Sequence, residues 1–290
     1  MVTISVVIAV HNGQQHIAET IDSILGQTLP PIELIVVNDG STDNTLAVLE
    51  PYLDRITIVD SINHGVEFAR NLGASKATGD WIAFCDHDDV WLPEKLEKQA
   101  RLILAAPDIH YVLCDYVEWK DGVVGSRSHL SFAPPGFWTP EILREGWVVR
   151  ESVAGKLTIF QPTITSVSLV KRDYFLHCGG FDGSVRGNPA EDTCFHFRCL
   201  AQVPFGVIPE VLMLYRRRSG SLSADELRQL RSGIAIWEHI IDTYPEAAPF
   251  RDDLRRGLET MRKEIRISTA YRRHQNVKRV LRSILDSSPE

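Results

Sequence analysis

The sequence of 290 residues lacks any apolar run of the roughly 18 residues that a membrane-spanning helix needs. Its N-terminus leads directly into an apolar strand pattern, so we see no signal peptide. Cysteine is scarce: the 5 cysteines are odd in number, and no two of them form a CxxC pair. This argues against a disulfide framework and against a structural zinc site. We therefore expect a soluble protein in a reduced, cytoplasmic setting.

No internal repeat and no low-complexity tract interrupts the chain, and its composition is globular, with 44% hydrophobic and 24% charged residues. The length suits one large α/β domain, alone or with a helical appendage. Charge is unevenly spread, because residues 251–285 carry a net +7 whereas residues 1–250 carry −12. The basic segment predicts either a surface partner or a solvated helical face.

The first 106 residues alternate strand patterns with helical patterns. Short apolar, β-branched runs predict four buried strands, at residues 4–10, 33–37, 56–59 and 81–85. Helical spacing or a helix start follows each of them, at residues 16–25, 41–49, 66–76 and 93–106. This alternation predicts an α/β fold with a Rossmann-like, mostly parallel sheet flanked by helices. Ligands bind such sheets at the carboxyl ends of the strands.

The pattern beyond residue 106 is less regular. Residues 111–119 alternate like an antiparallel strand, and residues 127–160 resemble a loop or lid. Further strands and a helix are predicted at residues 166–170, 207–215 and 191–201, and two or three helices follow residue 224.

We divide the chain into two parts on this basis. The first is a domain of residues 1–222, with a regularly alternating half at 1–106 and a less regular half at 107–222. The second is a C-terminal helical extension of residues 223–290.

The run Asp86-His87-Asp88-Asp89 comes directly after the fourth predicted strand. Three carboxylates in four residues repel one another, and a hard divalent cation such as Mg²⁺ or Mn²⁺ would relieve the repulsion. The cation would bridge to a diphosphate and stabilise it as a leaving group. The alternative is an acidic turn that caps the helix beginning at Pro93.

The run NDGSTD, residues 38–43, follows the second predicted strand. A turn followed by a helix cap at Ser41 or Thr42 would explain most of it. Asp39 is left with no capping role at the edge where ligands bind. Its carboxylate could accept the imide N–H of a uracil or thymine ring.

Three motifs follow one another along residues 4–89: ISVVIAVHNG, IVVNDGSTD and ARNLGASKATGDWIAFCDHDD. Each is modest alone, but all three in this order and at these spacings are highly specific. The chain resembles family-2 glycosyltransferases of the GT-A fold, over roughly residues 3–220. The resemblance implies an inverting enzyme that uses nucleotide sugars. It also implies that residues 1–222 are a GT-A catalytic domain, with a nucleotide-binding half at 1–106 and an acceptor-binding half at 107–222.

The resemblance implies a nucleotide site of eight residues: Val10, His11, Asn12, Asp39, Arg70, Asp86, Arg216 and Arg218. Asp39 would bind the base, and Asp86 would contact the ribose or the metal shell. Asp88 would ligate Mn²⁺ or Mg²⁺, with Asp86 as the second candidate ligand. A late motif near the diphosphate comprises Tyr215-Arg216 and residues 219–221.

Two departures from the family pattern change the expectation. Many members have His where this chain has Arg218, so a protein third ligand for the metal is in doubt. A cation there could instead neutralise the diphosphate. The QxxRW signature of processive synthases is absent, which favours transfer of one sugar per encounter.

Glu191-Asp192 match the acidic pair of the family, in which the Asp is the usual general base. Transfer by single displacement needs a base that takes the proton of the acceptor hydroxyl. Asp192 is therefore the predicted base and Glu191 the competing candidate. Simple capping of the helix that starts here is the structural alternative.

We weigh three classes of function. The leading one is an inverting transferase that uses a UDP- or dTDP-sugar, in glycan or cell-surface polysaccharide biosynthesis. A nucleotidyltransferase is the second, although its usual Gly-rich loop with a basic residue is missing at His11-Asn12-Gly13. An inactive binding module is the third, and the joint presence of Asp39, Asp86, Asp88 and Asp192 argues against it.

The expected partners are a nucleotide-sugar donor and a glycan or lipid-linked saccharide acceptor, and no nucleic acid. Leu254, Leu258, Met261 and Ile265 recur at helical spacing within the basic segment. This face predicts contact with the inner face of a membrane, packing on the catalytic domain, or a homodimer, three alternatives that the sequence leaves open.

Overall fold

A computed structural model describes residues 1–217, except Arg186 and Pro189, and residues 226–267. The strands are β1 Ile4–Val10, β2 Glu33–Asp39, β3 Thr57–Ser61, β4 Trp81–Asp86, β5 Val90–Trp91, β6 Tyr111–Lys120, β7 Val123–Val124, β8 Pro140–Leu143, β9 Gly146–Val149, β10 Leu169–Lys171 and β11 Phe205–Arg216. The helices are α1 Ile17–Leu25, α2 Thr45–Leu49, α3 Val66–Lys76, α4 Lys95–Ala105, α5 Arg172–His177, α6 Asp192–Ala201, α7 Glu226–Thr243 and α8 at residues 251–267.

One mixed sheet joins all of these strands. Its main path runs β3-β2-β1-β4-β10-β6-β11-β9-β8, with β5 on β11 and β7 on β6. Strands β1 to β4 are mutually parallel, and β10 is antiparallel to both of its neighbours. Strands β6 and β11 therefore point in the same direction as β1 and β4. The predicted mostly parallel sheet flanked by helices is confirmed, and the carboxyl ends of its long strands share one edge.

The parallel core follows from the apolar runs. Every residue of β1 is buried, which is the pattern of a strand covered on both faces. Helix α1 buries Ile17, Ile21 and Ile24 in the same hydrophobic core. Helix α3 approaches closely through Gly73, where a Cβ would lie 2.4 Å from Cγ1 of Val7. This contact brings the N-terminal turns of α3 to the ligand-binding edge.

Three expectations on local structure were wrong in part. Residues 127–160 contain a β8–β9 hairpin, which pairs with β11, in addition to loops. Strand β6 is antiparallel to β10, as expected, but parallel to β11. Helix α2 starts at Thr45 with no cap from Ser41 or Thr42. The backbone N–H of Thr42 instead donates to Asn12 Oδ1 at 2.7 Å, which ties this loop to the end of β1.

The C-terminal helix α8 packs on the α/β body of the chain. Leu254 and Leu258 of α8 are buried in the hydrophobic core, and Met261 packs against it. At Gly257 the backbone of α8 comes so close that a Cβ would lie 1.9 Å from Oγ1 of Thr158. The described part of this apolar face therefore packs internally, which is one of the three alternatives, and contact of the basic segment 251–285 with a membrane stays a prediction. Among the described residues, no helix has the length and apolar character needed to cross a bilayer.

Candidate active site

A cleft of about 440 Å³ opens at the carboxyl ends of β1, β2 and β4. It is lined by Ala9, Val10, His11, Asp39, Val66, Ala69, Arg70, Asp86, His87, Asp88, Gln161, Thr163, Ile164, Ala190, Glu191, Asp192, Thr193, Tyr215, Arg216 and Gln229. We call the lining residues at the ends of β1, β2 and β4, together with those that directly follow, the strand-end wall. Lining residues from 161–164 and 190–193 form a second side of the cleft, here the α6 wall.

Register brings the strand-end wall together. Val10 of β1 pairs with Asn38 of β2, and Ala9 pairs with Asp86 of β4. The residues that follow these pairs therefore emerge side by side. The Nδ1–H of His11 donates to the backbone carbonyl of Asp39 at 2.8 Å and links two of these loops.

Asn12 acts between loops rather than inside the cleft. Its backbone adopts a left-handed conformation with φ 57°, which Asn tolerates better than most residues. Its Oδ1 accepts the N–H groups of Thr42 and Asp43 at 2.7 and 3.3 Å. Asn12 was predicted to bind nucleotide, but it is not among the residues that line the cleft.

Asp39 holds the loop that leads into α3. Its Oδ1 and Oδ2 accept the N–H groups of His64 and Gly65, each at 2.8 Å. Both groups lie before the first residue of α3, which has no side-chain cap, so the carboxylate fixes the turn that enters the helix. Each oxygen keeps a second lone pair, and the residue lines the cleft, so a further hydrogen bond remains available.

Arg70 connects the two walls. Its guanidinium donates to Asp86 Oδ1 and to Glu191 Oε1, each at 2.7 Å. The Arg70 side chain is only 5% exposed and lies 5.0 Å from the centre of the Phe181 ring. A buried charge of this kind is tolerated because two carboxylates neutralise it. The sequence placed Arg70 near the nucleotide, and its direct contacts are these two acids.

The three carboxylates after β4 have different surroundings. Asp86 pairs with Arg70, whereas Asp89 is fully buried and accepts Ser166 Oγ–H at 2.5 Å and the Arg216 N–H at 3.0 Å. Burial, together with Asp88 and Asp86, raises the pKa of Asp89 well above its usual value. Asp89 is therefore a structural group. Asp86 and Asp88, which line the cleft, are the pair that offers hard oxygen ligands to a divalent cation.

Glu191 and Asp192 lie at the N-terminus of α6 and differ in their environment. Burial raises the pKa of Glu191 to about 7, against the effect of Arg70 and with the help of Asp192. Burial also opposes ionisation of Asp192, but His196, Arg70 and Thr165 together hold its pKa below the usual value. The Asp192 side chain is 22% exposed and that of Glu191 10%, so Asp192 is the more accessible of the two.

Arg216, at the end of β11, is tied to the acidic loop. Its Nε donates to the Asp88 carbonyl at 2.7 Å, and its guanidinium stacks 4.1 Å from the Trp119 ring centre. A further ion pair joins it to Glu19. The side chain still lines the cleft, beside the acids. Arg218 and the motif at residues 219–221 lie outside the described residues.

The sequence profile named Glycosyl transferase family 2 matches residues 5–159, which is more than half of the chain. The chain belongs to this family. It is 30% identical to an uncharacterized glycosyltransferase of Rickettsia typhi over 239 residues, covering 81% of this chain and 70% of the relative. Glycosyltransferase GlyG of Streptococcus pneumoniae is 29% identical over 230 residues, which cover 77% of this chain and 73% of GlyG.

Solved structures share the fold of this glycosyltransferase. S. aureus TarS 1–349 in complex with UDP superposes with a TM-score of 0.61 at 19% identity, over 85% of this chain and 68% of that one. Mannosyltransferase PcManGT from Pyrobaculum calidifontis, in complex with GDP-Man and Mn²⁺, superposes with a TM-score of 0.61 at 18% identity, over 93% of this chain and 75% of that one. The predicted GT-A fold is thereby confirmed.

Several cleft residues of the glycosyltransferase escaped sequence reasoning. Gln161, Thr163 and Ile164 come from a stretch with no periodicity, and Gln229 comes from α7, in the predicted extension. The side chains of Thr193 and Gln161 meet at 3.4 Å across the α6 wall. Nothing in their local sequence marks these residues, because only the tertiary fold brings them to the cleft.

A second group of potential metal ligands lies outside the cleft. The ligand atoms of Asp182, Cys194 and His239 are within 4.8 Å of one another. However, His239 Nε2–H donates to Asp182 Oδ2 at 2.9 Å, and Tyr244 donates to the same oxygen. Although partial burial opposes it, hydrogen bonds from Tyr244, Ser184 and His239 hold the pKa of Asp182 well below its usual value. The group is satisfied without a cation and joins α6 to α7.

Proposed function

We propose that this family-2 member is an inverting glycosyltransferase that moves one sugar from a UDP- or dTDP-sugar to an acceptor hydroxyl. The acceptor would be a glycan or a lipid-linked saccharide. The observation that carries the proposal is the ionic link through Arg70. It holds Asp86 of the strand-end wall and the Glu191-Asp192 pair within one cleft. A diphosphate leaving group and a general base on opposite sides of the sugar require such an arrangement.

Asp39 supports the choice of base. Its carboxylate can accept a ring N–H, which uracil and thymine offer at N3 and guanine at N1. Adenine presents an acceptor at the corresponding ring position, so its pairing with Asp39 would leave two acceptors facing each other. TarS was solved with UDP and PcManGT with GDP-Man, so proteins of this fold bind either base. The choice between uracil and guanine is therefore tested by experiment.

Asp86 and Asp88 fit a Mn²⁺ or Mg²⁺ ion, because carboxylate oxygens are the ligands that these ions prefer. Mn²⁺ is present in the PcManGT complex. When bound, the ion would supply positive charge to the diphosphate as it leaves. The protein's own contribution is to hold Asp86 with Arg70 and to hold the Asp88 backbone with Arg216.

Asp192 is the proposed base. It is ionised and more accessible, whereas one oxygen of Glu191 already accepts a hydrogen bond from Arg70. In the reaction the acceptor O–H bond breaks, the proton passes to the carboxylate, and the acceptor oxygen bonds the anomeric carbon as the diphosphate leaves. Glu191 stays the rival, because a base with a pKa near 7 would be well matched to neutral pH.

Donor hydrolysis tests the proposal without knowledge of the acceptor. Purified full-length chain is incubated with UDP-, dTDP-, GDP- and ADP-glucose and with UDP-N-acetylglucosamine, each with Mn²⁺ or with EDTA. We expect slow, Mn²⁺-dependent release of UDP or dTDP, with water as the acceptor. Release of pyrophosphate from a nucleoside triphosphate would instead identify a nucleotidyltransferase. Donor binding without any turnover would favour an inactive module.

Stereochemistry gives the sharper result. Proton NMR recorded in the first minutes reports the anomer released from an α-linked donor, before mutarotation. Single displacement predicts the β anomer. Release of the α anomer would contradict the inverting mechanism and the role of Asp192 as a general base.

A further inference from the structure

His196 lies one turn after Asp192 on α6 and faces the same side. It is 3% exposed, and its Nε2 lies 3.5 Å from Asp192 Oδ2. This is slightly too long for a good hydrogen bond, and Nε2 has no other partner among the described residues. A buried ring nitrogen directed at a carboxylate in a cleft calls for an explanation, because unsatisfied buried polar atoms are costly.

The other ring nitrogen has a fixed partner. Nδ1 of His196 lies 2.9 Å from the hydroxyl oxygen of Tyr111, which is fully buried at the start of β6. Burial raises the pKa of Tyr111 well above its usual value, so the phenol keeps its proton. A hydroxyl that keeps its proton can donate it to Nδ1, and the proton of a neutral imidazole then resides on Nε2.

The reverse arrangement is unfavourable. If Nδ1 carried the proton, the Nε2 lone pair would face the ionised Asp192 in a buried space, and two acceptors would repel each other. The Thr165 hydroxyl donates to the same Oδ2 at 3.2 Å, so Oδ1 is the oxygen without a protein donor in the described part of the chain.

We propose that Tyr111 and His196 are positioning residues that orient the catalytic base: Tyr111 O–H donates to His196 Nδ1, and His196 Nε2–H donates to Asp192 Oδ2. This inference rests on the proposed role of Asp192. The proton of the acceptor hydroxyl passes to Asp192, which His196 holds in one orientation. The 3.5 Å gap closes when the acceptor is bound, since catalytic hydrogen bonds are often long in free enzymes.

The tautomer can be measured without a substrate. Long-range ¹H–¹⁵N NMR spectra distinguish Nε2–H, Nδ1–H and imidazolium forms, and the signal lost in His196→Gln assigns His196 among the 10 histidines. We expect the Nε2–H form in the wild type and a mixture of both tautomers in Tyr111→Phe. An Nδ1–H form in the wild type, or an unchanged spectrum in Tyr111→Phe, would overturn the proposal.

Donor hydrolysis provides the functional arm. We expect His196→Phe to lower kcat by about 10- to 100-fold at unchanged donor KM, the rate equivalent of one charge-assisted hydrogen bond. His196→Gln can still present an N–H to Asp192 and should recover part of the rate. Tyr174→Phe is the matched control, because it removes a hydroxyl that donates to Arg198 O elsewhere on α6. It should leave kcat unchanged.

Failure of this inference can be told from failure of the proposed function. If Asp192→Asn is inactive while folded His196→Phe retains wild-type kcat, Asp192 is the base and the positioning role is wrong. If Asp192→Asn keeps full activity, the base assignment is wrong, and the tautomer of His196 still decides whether the hydrogen-bonded chain exists. Equal losses in His196→Phe and Tyr174→Phe would indicate a general packing effect and would refute the positioning role.

Discussion

The strand-end wall and the α6 wall face the same space, yet different forces hold them in place. The strand-end wall follows from parallel strand pairing, in which Ala9 pairs with Asp86 and Val10 with Asn38. The α6 wall is joined to it by side chains, above all by Arg70 between Asp86 and Glu191. We therefore expect substitutions in the strand-end wall to affect donor binding, and substitutions in the α6 wall to affect rate and local stability.

Asp192→Asn should give the largest effect. It keeps the shape of the side chain and removes the proton acceptor, so kcat should fall by about 10²–10⁴-fold. Binding of UDP should be preserved, because the diphosphate belongs to the opposite wall. Activity assays and calorimetry on the same preparation test both halves of this prediction.

Glu191→Gln is the matched comparison for that variant. Near-normal turnover in Asp192→Asn together with a collapse in Glu191→Gln would transfer the role of base to Glu191. A large loss of UDP affinity in Asp192→Asn would show that the two walls are not functionally separate.

Arg70→Met should break the link between the walls. It leaves the buried Glu191 and the partly exposed Asp86 without a cation, and loss of one partner of a buried ion pair typically costs about 3–5 kcal/mol of unfolding free energy. Urea denaturation measures the loss. Arg262→Met removes an exposed ion pair with Glu238 and should cost only about 0–1 kcal/mol. Similar losses in the two variants would contradict the structural role of Arg70.

Glu191 should also impose a pH dependence on stability. Its pKa is about 7 in the folded chain and 4.5 for the unperturbed group, so the folded state binds more protons between these values. The contribution of Glu191 to the free energy of unfolding is therefore fully present below about pH 4.5 and is lost as the pH rises through 7. Denaturation of the wild type and Glu191→Gln across this range tests it. Between pH 4.5 and 7, Glu191→Gln should lose less free energy of unfolding than the wild type. If the free energies of unfolding of the two proteins changed in parallel with pH, the raised pKa of Glu191 would be contradicted.

Asp39→Asn should produce the smallest effect and act on selectivity. The carboxylate offers two acceptors to the N–H groups of His64 and Gly65, whereas the amide offers one acceptor and one donor. One hydrogen bond of the turn before α3 is therefore lost, which should cost roughly 1 kcal/mol. Competition by UDP, dTDP, GDP and ADP for the donor site measures selectivity. The preference for bases with a ring N–H over adenine should weaken in the variant. A wild type that binds ADP as tightly as UDP would refute the assignment of Asp39.

The difference between the walls also explains what sequence reasoning could reach. Asp39, Asp86 and Asp88 follow buried strands, and a parallel sheet places strand ends together whatever the rest of the fold does. Glu191 and Asp192 were found only through the family resemblance, because no local pattern connects residue 191 with residue 70. Their long-range ion pair depends on tertiary packing, as does the hydrogen bond between His196 and Tyr111.

Two other sequence predictions, the cap of α2 and the role of the apolar face of α8, were decided by particular contacts. The helix cap expected at Ser41 or Thr42 was displaced because Asn12 binds the backbone of that loop. The apolar face of α8 could pack internally or meet a membrane, and helical spacing is the same in both cases. Only the burial of Leu254 and Leu258 distinguishes them.

The central claim is that the strand-end wall binds a nucleoside diphosphate through a divalent cation held by Asp88 and Asp86. Calorimetric titration of UDP into the wild type with Mn²⁺, into the wild type with EDTA, and into Asp88→Ala with Mn²⁺ tests it most directly. The account predicts that UDP affinity falls by roughly tenfold or more, about 1.4 kcal/mol, both with EDTA and in Asp88→Ala. Unchanged UDP affinity in both cases would contradict it.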